Sequence, residues 1–167
     1  VAKIAGIKMC DAYNRQYGTD FRSVLPCNLY GPGDNYDLDN GHVTAGILRK
    51  MHEAKINNSP TVTIWGTGNA RREFLYAEDM AEACITVMNA DKEDYDNLVK
   101  PMQNYINLSA GFDITIKELV SKIKDVVGYT GDIIYDHNKP DGTMQKLTDN
   151  TKILQLGWKP KTPIEQG

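Results

Sequence analysis

Segments typical of β-strands alternate along this chain with segments whose apolar residues recur at helical spacing. The strongest helical segment begins near Thr115 and Glu118, which stand three positions apart as in an N-terminal capping box, and Gly128 supplies its end. Alternation of strands and helices predicts the α/β or α+β class. The apolar stripe predicted to be buried on this helix consists of Ile116, Leu119, Val120, Ile123, Val126 and Val127.

The other segments predict where the remaining elements lie. Residues 31–42, rich in Gly, Asn and Asp, form a predicted loop between a strand and a helix, which is where α/β proteins place ligands. Residues 91–104 are polar and predict a surface connection. Predicted strands lie at 21–30, 61–66, 105–110 and 131–136, and predicted helices lie at 1–17, 42–58, within 71–89 and at 150–158.

Composition and charge exclude several classes of protein. The 167 residues suit one domain, and 19 basic against 22 acidic residues give a net charge of −3, without a basic cluster for nucleic acid. No apolar run approaches the ~20 residues that cross a bilayer. Cys10, Cys27 and Cys84 lack CxxC spacing, so neither a disulfide framework nor a metal site is expected. A cytoplasmic protein fits these features best.

Both termini predict a piece of a longer protein. Helical spacing is already established at Val1, with no preceding residue to cap the helix. Near the other end, Thr162, Pro163 and Glu165 form a predicted capping box, and the chain stops at Gly167.

Four short stretches carry a family resemblance: VAKIAGIK, LPCNLYGPGDNYD, WGTGNARREFLYAEDMA and KPDGTMQK. Together, in this order and spacing, they resemble the extended short-chain dehydrogenase/reductase family. The resemblance implies the C-terminal part of a Rossmann-like α/β enzyme with a small α+β substrate-binding domain. Residues 1–29 would be the tail of the dinucleotide-binding domain. Residues 30–167 would be mainly the substrate-binding domain, with some strands and helices returning to the Rossmann sheet.

Within that family, the stretches look like enzymes that epimerise GDP-4-keto-6-deoxymannose at C3 and C5 and then reduce C4. The resemblance implies NADP (as NADPH), a GDP-sugar substrate and a homodimer formed through the helix containing Lys3. The family's glycine-rich loop and its catalytic Ser, Tyr and Cys would precede Val1, so the chain alone is expected to be inactive. Two alternatives stay open: another nucleotide-sugar epimerase or dehydratase of this fold, and a non-catalytic Rossmann-like binding protein.

The resemblance assigns catalysis to Lys3 and His42, both of which would also contact the cofactor. Lys3 matches the Lys that lowers the pKa of a Tyr one helical turn earlier and binds the nicotinamide ribose. His42 matches the acid of the epimerisation step. The other cofactor-binding positions are Pro26, Cys27, Asn28 and Leu29. By residue type alone, the alternatives are a solvated charge for Lys3, a turn cap for Asn28, a buried filler for Cys27 and a backbone-bonded helix start for His42.

The resemblance also implies a set of contacts with the GDP-sugar. Arg72 would bind the diphosphate through its bidentate guanidinium. Lys50 stands where related bacterial enzymes often carry Arg, which keeps the charge but loses the fork. The full predicted substrate-binding set is Lys50, Trp65, Arg72, Asp141 and Lys146. The ordinary alternatives are a core position for Trp65, a turn position for Asp141 and solvated charges for Arg72 and Lys146.

Overall fold

A computed structural model describes residues 1–38 and 40–167; Asp39, within the predicted loop 31–42, lies outside the described residues. The helices are α1 (Ala2–Tyr17), α2 (Val43–Ile56), α3 (Ala77–Asn89), α4 (Lys92–Leu98), α5 (Ile116–Val127) and α6 (Thr151–Gln155). The strands are β1 (Ser23–Pro26), β2 (Asn28–Tyr30), β3 (Thr61–Trp65), β4 (Arg71–Arg72), β5 (Phe74–Tyr76), β6 (Tyr105–Leu108), β7 (Ile114–Thr115), β8 (Asp132–Asp136) and β9 (Gln145–Lys146). The predicted α/β class is confirmed.

Most strand pairs are parallel. β1 pairs with β6, β2 with β5 and β3 with β8, while β4 lies between antiparallel β7 and parallel β9. Parallel pairing brings the carboxyl ends of partner strands together, so Trp65 at the end of β3 lies opposite Asp136 at the end of β8. The loops that leave these two strands therefore start side by side.

Helix α5 begins and ends as its sequence predicts. The Thr115 hydroxyl accepts from the Glu118 N–H at 3.0 Å, and the Glu118 carboxylate accepts from the Thr115 N–H at 2.6 Å. Gly128 ends the helix with φ 67°, a conformation that favours glycine. Leu119 is fully buried, but the prediction for Val126 is wrong: its side chain is 63% exposed. Helix α5 packs against the protein through the face that carries Leu119 and Ile123, and Val126 lies beside a surface groove.

Two apolar clusters hold the fold together. The first lies between α2, α5 and the β3–β8 pair and includes Met51 and Leu119, both with no exposed area. The second lies between α3, α4, α6 and the β1–β6 pair and includes Tyr95, Ile106 and Leu108. Burial of this apolar surface is the main stabilising term in folding.

The prediction of a plain surface connection at 91–104 is wrong. The segment contains α4, and Tyr95 on that helix is only 1% exposed. Its hydroxyl donates to Asn104 Oδ1 at 2.7 Å, and burial raises the pKa of Tyr95 to about 12. One deeply buried aromatic side chain therefore anchors an otherwise polar helix.

The segment near Thr162 also differs from its prediction. Asp79, buried on α3, accepts from the N–H groups of Lys161 and Thr162 at 2.9 and 2.8 Å and from the Thr162 hydroxyl at 3.0 Å. The capping box at Thr162 and Glu165 is therefore wrong, because the Thr162 hydroxyl is used by Asp79 and Glu165 pairs with Lys122. Residues 164–166 form a turn.

Helix α1 is the most exposed long helix among the described residues. Asp11 is its only described buried residue, while Ile4 and Met9 are 64% and 60% exposed. No helix in residues 1–38 and 40–167 combines the length and apolarity needed to cross a membrane.

Candidate functional site

A surface cleft of about 340 Å³ brings together side chains from five separate segments of the chain. We call it the His42 cleft. Its walls come from the start of β2, the start and middle of α2, the end of β3, β4 and the loop after β8. The predicted site residues that line it are Asn28, His42, Lys50, Trp65, Arg72 and Asp141. Residues separated by more than a hundred positions therefore meet in one cavity.

His42 lies at the mouth of the cleft, immediately before α2. Its side chain is 73% exposed and makes no capping hydrogen bond to the helix backbone. Instead, the His42 Nδ1 lies 3.0 Å from Oδ1 of Asp34, whose side chain is only 12% exposed. The alternative in which His42 serves as a helix cap thus has no supporting hydrogen bond in the described structure.

Trp65 forms an exposed aromatic wall flanked by two cations. The indole is 53% exposed, so it is not a core residue. Lys50 Nζ lies 5.3 Å from the Trp65 ring centroid, and Lys139 Nζ lies 5.1 Å from it. Both distances suit cation–π attraction. The arrangement presents a flat π-surface next to two positive charges.

Two consecutive arginines in β4 have different surroundings. Arg71 pairs with Asp113 at 2.7 Å, and this guanidinium lowers the pKa of the Asp113 carboxyl. Arg72 donates to the main-chain oxygen of Arg71 at 2.7 Å and forms no ion pair with any described carboxylate. Arg72 therefore brings an uncompensated charge to the cleft, whereas Arg71 is committed to the fold.

Asp141 fixes a turn at the edge of the cleft. Its Oδ1 accepts from the Thr67 N–H and its Oδ2 from the Thr67 hydroxyl, both at 2.7 Å. These hydrogen bonds lower the pKa of the Asp141 carboxyl. A Cβ on Gly66 would lie 2.3 Å from Asp141 Oδ1, so the approach requires glycine there. The geometry agrees with a turn role for Asp141, and its predicted substrate contact stays a prediction.

The positions predicted to contact the cofactor lie along β1 and β2. Pro26 and Asn28 are exposed, while Cys27 and Leu29 face the second apolar cluster. Burial raises the pKa of Cys27 to about 11, which keeps the thiol protonated and unsuited to acid–base work near neutral pH. Asn28 Nδ2 donates to the main-chain oxygen of Glu73, the residue before β5, at 2.9 Å. The Asn28 side chain is therefore held by this strand rather than capping the next turn.

Two predicted site residues lie outside the walls of the cleft. Lys3 is exposed on α1 and forms no hydrogen bond or ion pair with a described residue. Lys146 is exposed in β9, where its backbone stands in register with Arg72. Their predicted roles stay predictions.

Sequence reasoning missed three residues around the cleft. Asp34 holds His42, Lys139 is the second cation beside Trp65, and the main-chain oxygen of buried Glu73 holds the Asn28 side chain. Lys139 could have been found, because it opens the same KPDGT stretch that contains Asp141. No local signal distinguishes Asp34 from the other acidic and amide residues of its loop.

The chemistry of the cleft suits an anionic ligand with an aromatic ring. Lys50, Lys139 and Arg72 supply three positive charges, and the carboxylate of Asp141 is already bonded to Thr67. Arg and Lys side chains are the usual partners of phosphate oxygens. Among residues 1–38 and 40–167, no group of three His, Cys, Asp or Glu side chains is arranged to hold a metal ion.

Comparison with known proteins identifies relatives over the whole chain. The chain is 50% identical over 167 residues to the GDP-L-fucose synthase of Escherichia coli (strain K12), covering all of this chain and 52% of the relative. It is 39% identical to the GDP-L-colitose synthase of Yersinia pseudotuberculosis, again covering 52% of that protein. The chain thus spans about half the length of the curated relatives it matches.

Solved structures agree with the fold. A GDP-L-fucose synthetase from Naegleria fowleri bound to NADP matches with a TM-score of 0.85 and 29% identity, covering 99% of this chain and 51% of that one. This similarity confirms the predicted Rossmann-like α/β fold. The model of the NAD dependent epimerase/dehydratase family matches residues 1–99. These findings confirm the resemblance to extended short-chain dehydrogenases, and this chain belongs to the NAD dependent epimerase/dehydratase family.

Proposed function

We propose that this chain forms the GDP-sugar-binding part of a GDP-L-fucose synthase. Such an enzyme epimerises GDP-4-keto-6-deoxymannose at C3 and C5 and reduces C4 with NADPH. The observation that carries the proposal is the convergence of His42, Trp65 and Arg72, from separate segments, in one cationic cleft. The 50% identity with the E. coli enzyme across the full chain supports the same substrate.

In this proposal, the two ends of the cleft bind different parts of the ligand. The Trp65 indole offers a stacking surface for the guanine base, and Lys50 and Arg72 neutralise the diphosphate. The sugar then extends toward Asn28 and His42. Asn28 Oδ1, which accepts no hydrogen bond from a described residue, is available for a sugar hydroxyl or a carboxamide.

His42 supplies the acid of epimerisation. A base removes a proton from the carbon beside the C4 ketone, and the resemblance places that base, a cysteine, before Val1. The resulting enolate accepts a proton on its opposite face from His42 Nε2, which inverts the stereocentre. The exposed position of the His42 ring at the cleft mouth gives it direct access to a bound sugar.

The residues present fit the nicotinamide end of NADP. Exposed Pro26 lies at the carboxyl end of the parallel strand β1, where α/β folds place dinucleotides, and exposed Asn28 follows two residues later at the start of β2. Lys3 would bind the nicotinamide ribose from α1, and bound NADPH supplies the hydride for C4. The Naegleria fowleri neighbour described as bound to NADP supports this choice of cofactor.

The experiment that tests the proposal is turnover by the complete gene product. We expect oxidation of one NADPH for each GDP-4-keto-6-deoxymannose consumed, with GDP-L-fucose as the product. A second candidate is a GDP-L-colitose synthase, favoured by 39% identity to such an enzyme. Preferred turnover of the 3-deoxy analogue of GDP-4-keto-6-deoxymannose, with GDP-L-colitose as the product, would favour that candidate. Failure with both substrates would contradict both activities and favour a non-catalytic binding protein.

A variant of Arg72 tests the substrate site in the same assay. Arg72→Ala should raise the KM for the GDP-sugar about 10- to 100-fold, because a charged hydrogen bond to phosphate contributes roughly 1.5 to 3 kcal/mol. Arg72→Lys should recover part of the loss, since it restores the charge without the fork. Lys159→Ala removes an exposed cation that lies outside both α1 and the cleft, and it serves as the control. Equal KM values for Arg72→Ala and the control would place the diphosphate elsewhere.

We further propose a cytoplasmic homodimer that pairs through α1. The exposed apolar side chains of Ile4, Met9 and Tyr13 on that helix support an interface. The division at residues 29 and 30 between the dinucleotide-binding and substrate-binding domains belongs to the same proposal. Light scattering of the complete protein at micromolar concentration should give twice the mass of one chain, and a monomer mass would refute the dimer.

A further inference from the structure

The pair formed by Asp34 and His42 combines a buried acceptor with an exposed ring. Asp34 Oδ1 lies 3.0 Å from His42 Nδ1, and the two side chains are 12% and 73% exposed. Asp34 Oδ2 is buried and has no hydrogen-bond partner among the described residues. The carboxylate is thus desolvated on one side and directed at the imidazole on the other.

Asp34 does not depend on His42 for its own placement. Asp34 Oδ1 also accepts from the Asn35 N–H at 2.7 Å. Two residues further on, the main-chain oxygen of Tyr36 accepts from Arg49 Nη1 at 3.0 Å, which ties this part of the loop to α2. The carboxylate is therefore a fixed point against which the imidazole is oriented.

The hydrogen bond determines which ring nitrogen carries the proton. A carboxylate can only accept, so Nδ1 of His42 must be the donor. The His42 ring lines the cleft, and no described residue bonds to its Nε2. A hydrogen bond at one imidazole nitrogen commonly sets the state of the other in this way.

The same pair answers an electrostatic problem of the cleft. Lys50 and Arg72 line the same cavity as His42 and bring two positive charges to it. Asp34 places a negative charge in contact with the His42 ring. An acid catalyst in a cationic cleft needs such a counter-charge.

We infer that Asp34 is the positioning residue that keeps His42 ready to deliver a proton from Nε2. The inference rests on the proposed function. In the step it serves, the Nε2–H bond breaks, its electron pair stays on the imidazole, and the proton forms a C–H bond at the enolate carbon. Solvent then reprotonates Nε2, while the Nδ1 proton remains bonded to Asp34.

The test measures epimerisation separately from reduction. The complete gene product is incubated with GDP-4-keto-6-deoxymannose in D₂O without NADPH, and NMR follows the sugar that is both inverted and deuterated at C3 and C5. We call the rate at which this sugar forms the exchange, because deuterium entry without inversion needs only the base. We expect Asp34→Asn to slow exchange about 10- to 100-fold, by analogy with the loss that follows removal of the hydrogen-bond partner of a metal-ligating histidine. The KM should change little, because Asp34 is not among the residues that line the His42 cleft. Asp94→Asn, on exposed α4, is the matched control.

A spectroscopic readout separates the outcomes. In ¹⁵N spectra of the histidine rings, Asp34→Ala should change the Nδ1 signal of His42, because the proton on Nδ1 loses its carboxylate acceptor. The His52 and His137 signals should stay in place and report an intact fold. The inference would be overturned if Asp34→Asn exchanged as fast as the wild type and Asp34→Ala left the His42 signals unchanged. Absent exchange in the wild type, with the His42 signals still dependent on Asp34, would instead contradict the proposed function alone.

Discussion

Replacing Glu73 by alanine is expected to lower the free energy of unfolding by about 3 to 5 kcal/mol. The carboxylate is 2% exposed and joins three segments of the chain. Its Oε1 accepts from the Gly111 N–H at 3.2 Å, and its Oε2 accepts from the Thr148 N–H at 2.7 Å and from the Thr148 hydroxyl. Alanine removes every acceptor and leaves these donors without partners inside the protein.

Urea denaturation of matched variants measures the effect. Glu78→Ala is the control, because Glu78 is exposed on the first turn of α3 and should cost less than about 1 kcal/mol. Glu73→Gln should fall between the two, since an amide keeps one acceptor but turns its NH₂ toward a donor. Equal unfolding free energies for Glu73→Ala and Glu78→Ala would show that the three hydrogen bonds add no net stability.

The role of Glu73 extends to the site through its main chain. Its carbonyl oxygen accepts from Asn28 Nδ2 at 2.9 Å, so the buried side chain and a predicted cofactor contact are anchored on one residue. A Glu73 variant that lowers the free energy of unfolding only slightly should therefore still weaken ligand binding at Asn28. Stability and site geometry are coupled at this position.

Local signals were sufficient to predict the helix ends. The capping box at Thr115 and Glu118 and the glycine at 128 act within one helical turn, and both are confirmed. Where the outcome depended on distant partners, the same signals failed. Thr162 and Glu165 have the spacing of a capping box, yet Asp79 and Lys122 take their side chains.

Burial of single residues is equally hard to read from sequence. In the polar segment that contains α4, Tyr95 has no apolar periodicity around it, yet it fills the second cluster. Conversely, Val126 fits the periodic stripe of α5 and is exposed beside a surface groove. In both cases tertiary packing decides, and periodicity describes only the helix itself.

The resemblance identified the residues predicted to contact a ligand, but it did not identify the residues that hold them in place. Matched motifs located His42, Trp65 and Arg72, and these line one cleft. Asp34 and Lys139 contact the first two of these residues but match no motif by themselves. Supporting residues act through spatial neighbours, so only the folded structure identifies them.

The variant His42→Ala should reduce C3 and C5 exchange by about 10² to 10⁴, the range that a general acid contributes. The change should leave the free energy of unfolding almost unaltered, because the ring is 73% exposed and caps no helix N–H group. His52→Ala, an exposed histidine on the same helix, is the matched control and should keep full exchange. Exchange that survives in His42→Ala would assign the acid to another group.

The two changes should not add when they are combined. If Asp34 acts only through His42, the Asp34→Asn change should cost nothing further once the imidazole is gone, whereas independent sites would multiply their effects. A double variant that exchanges deuterium as fast as His42→Ala alone would therefore assign the whole effect of Asp34 to the ring it holds. A further 10-fold loss in the double variant would mean that the buried carboxylate supports the loop as well, because the 3.0 Å hydrogen bond to His42 could no longer account for it.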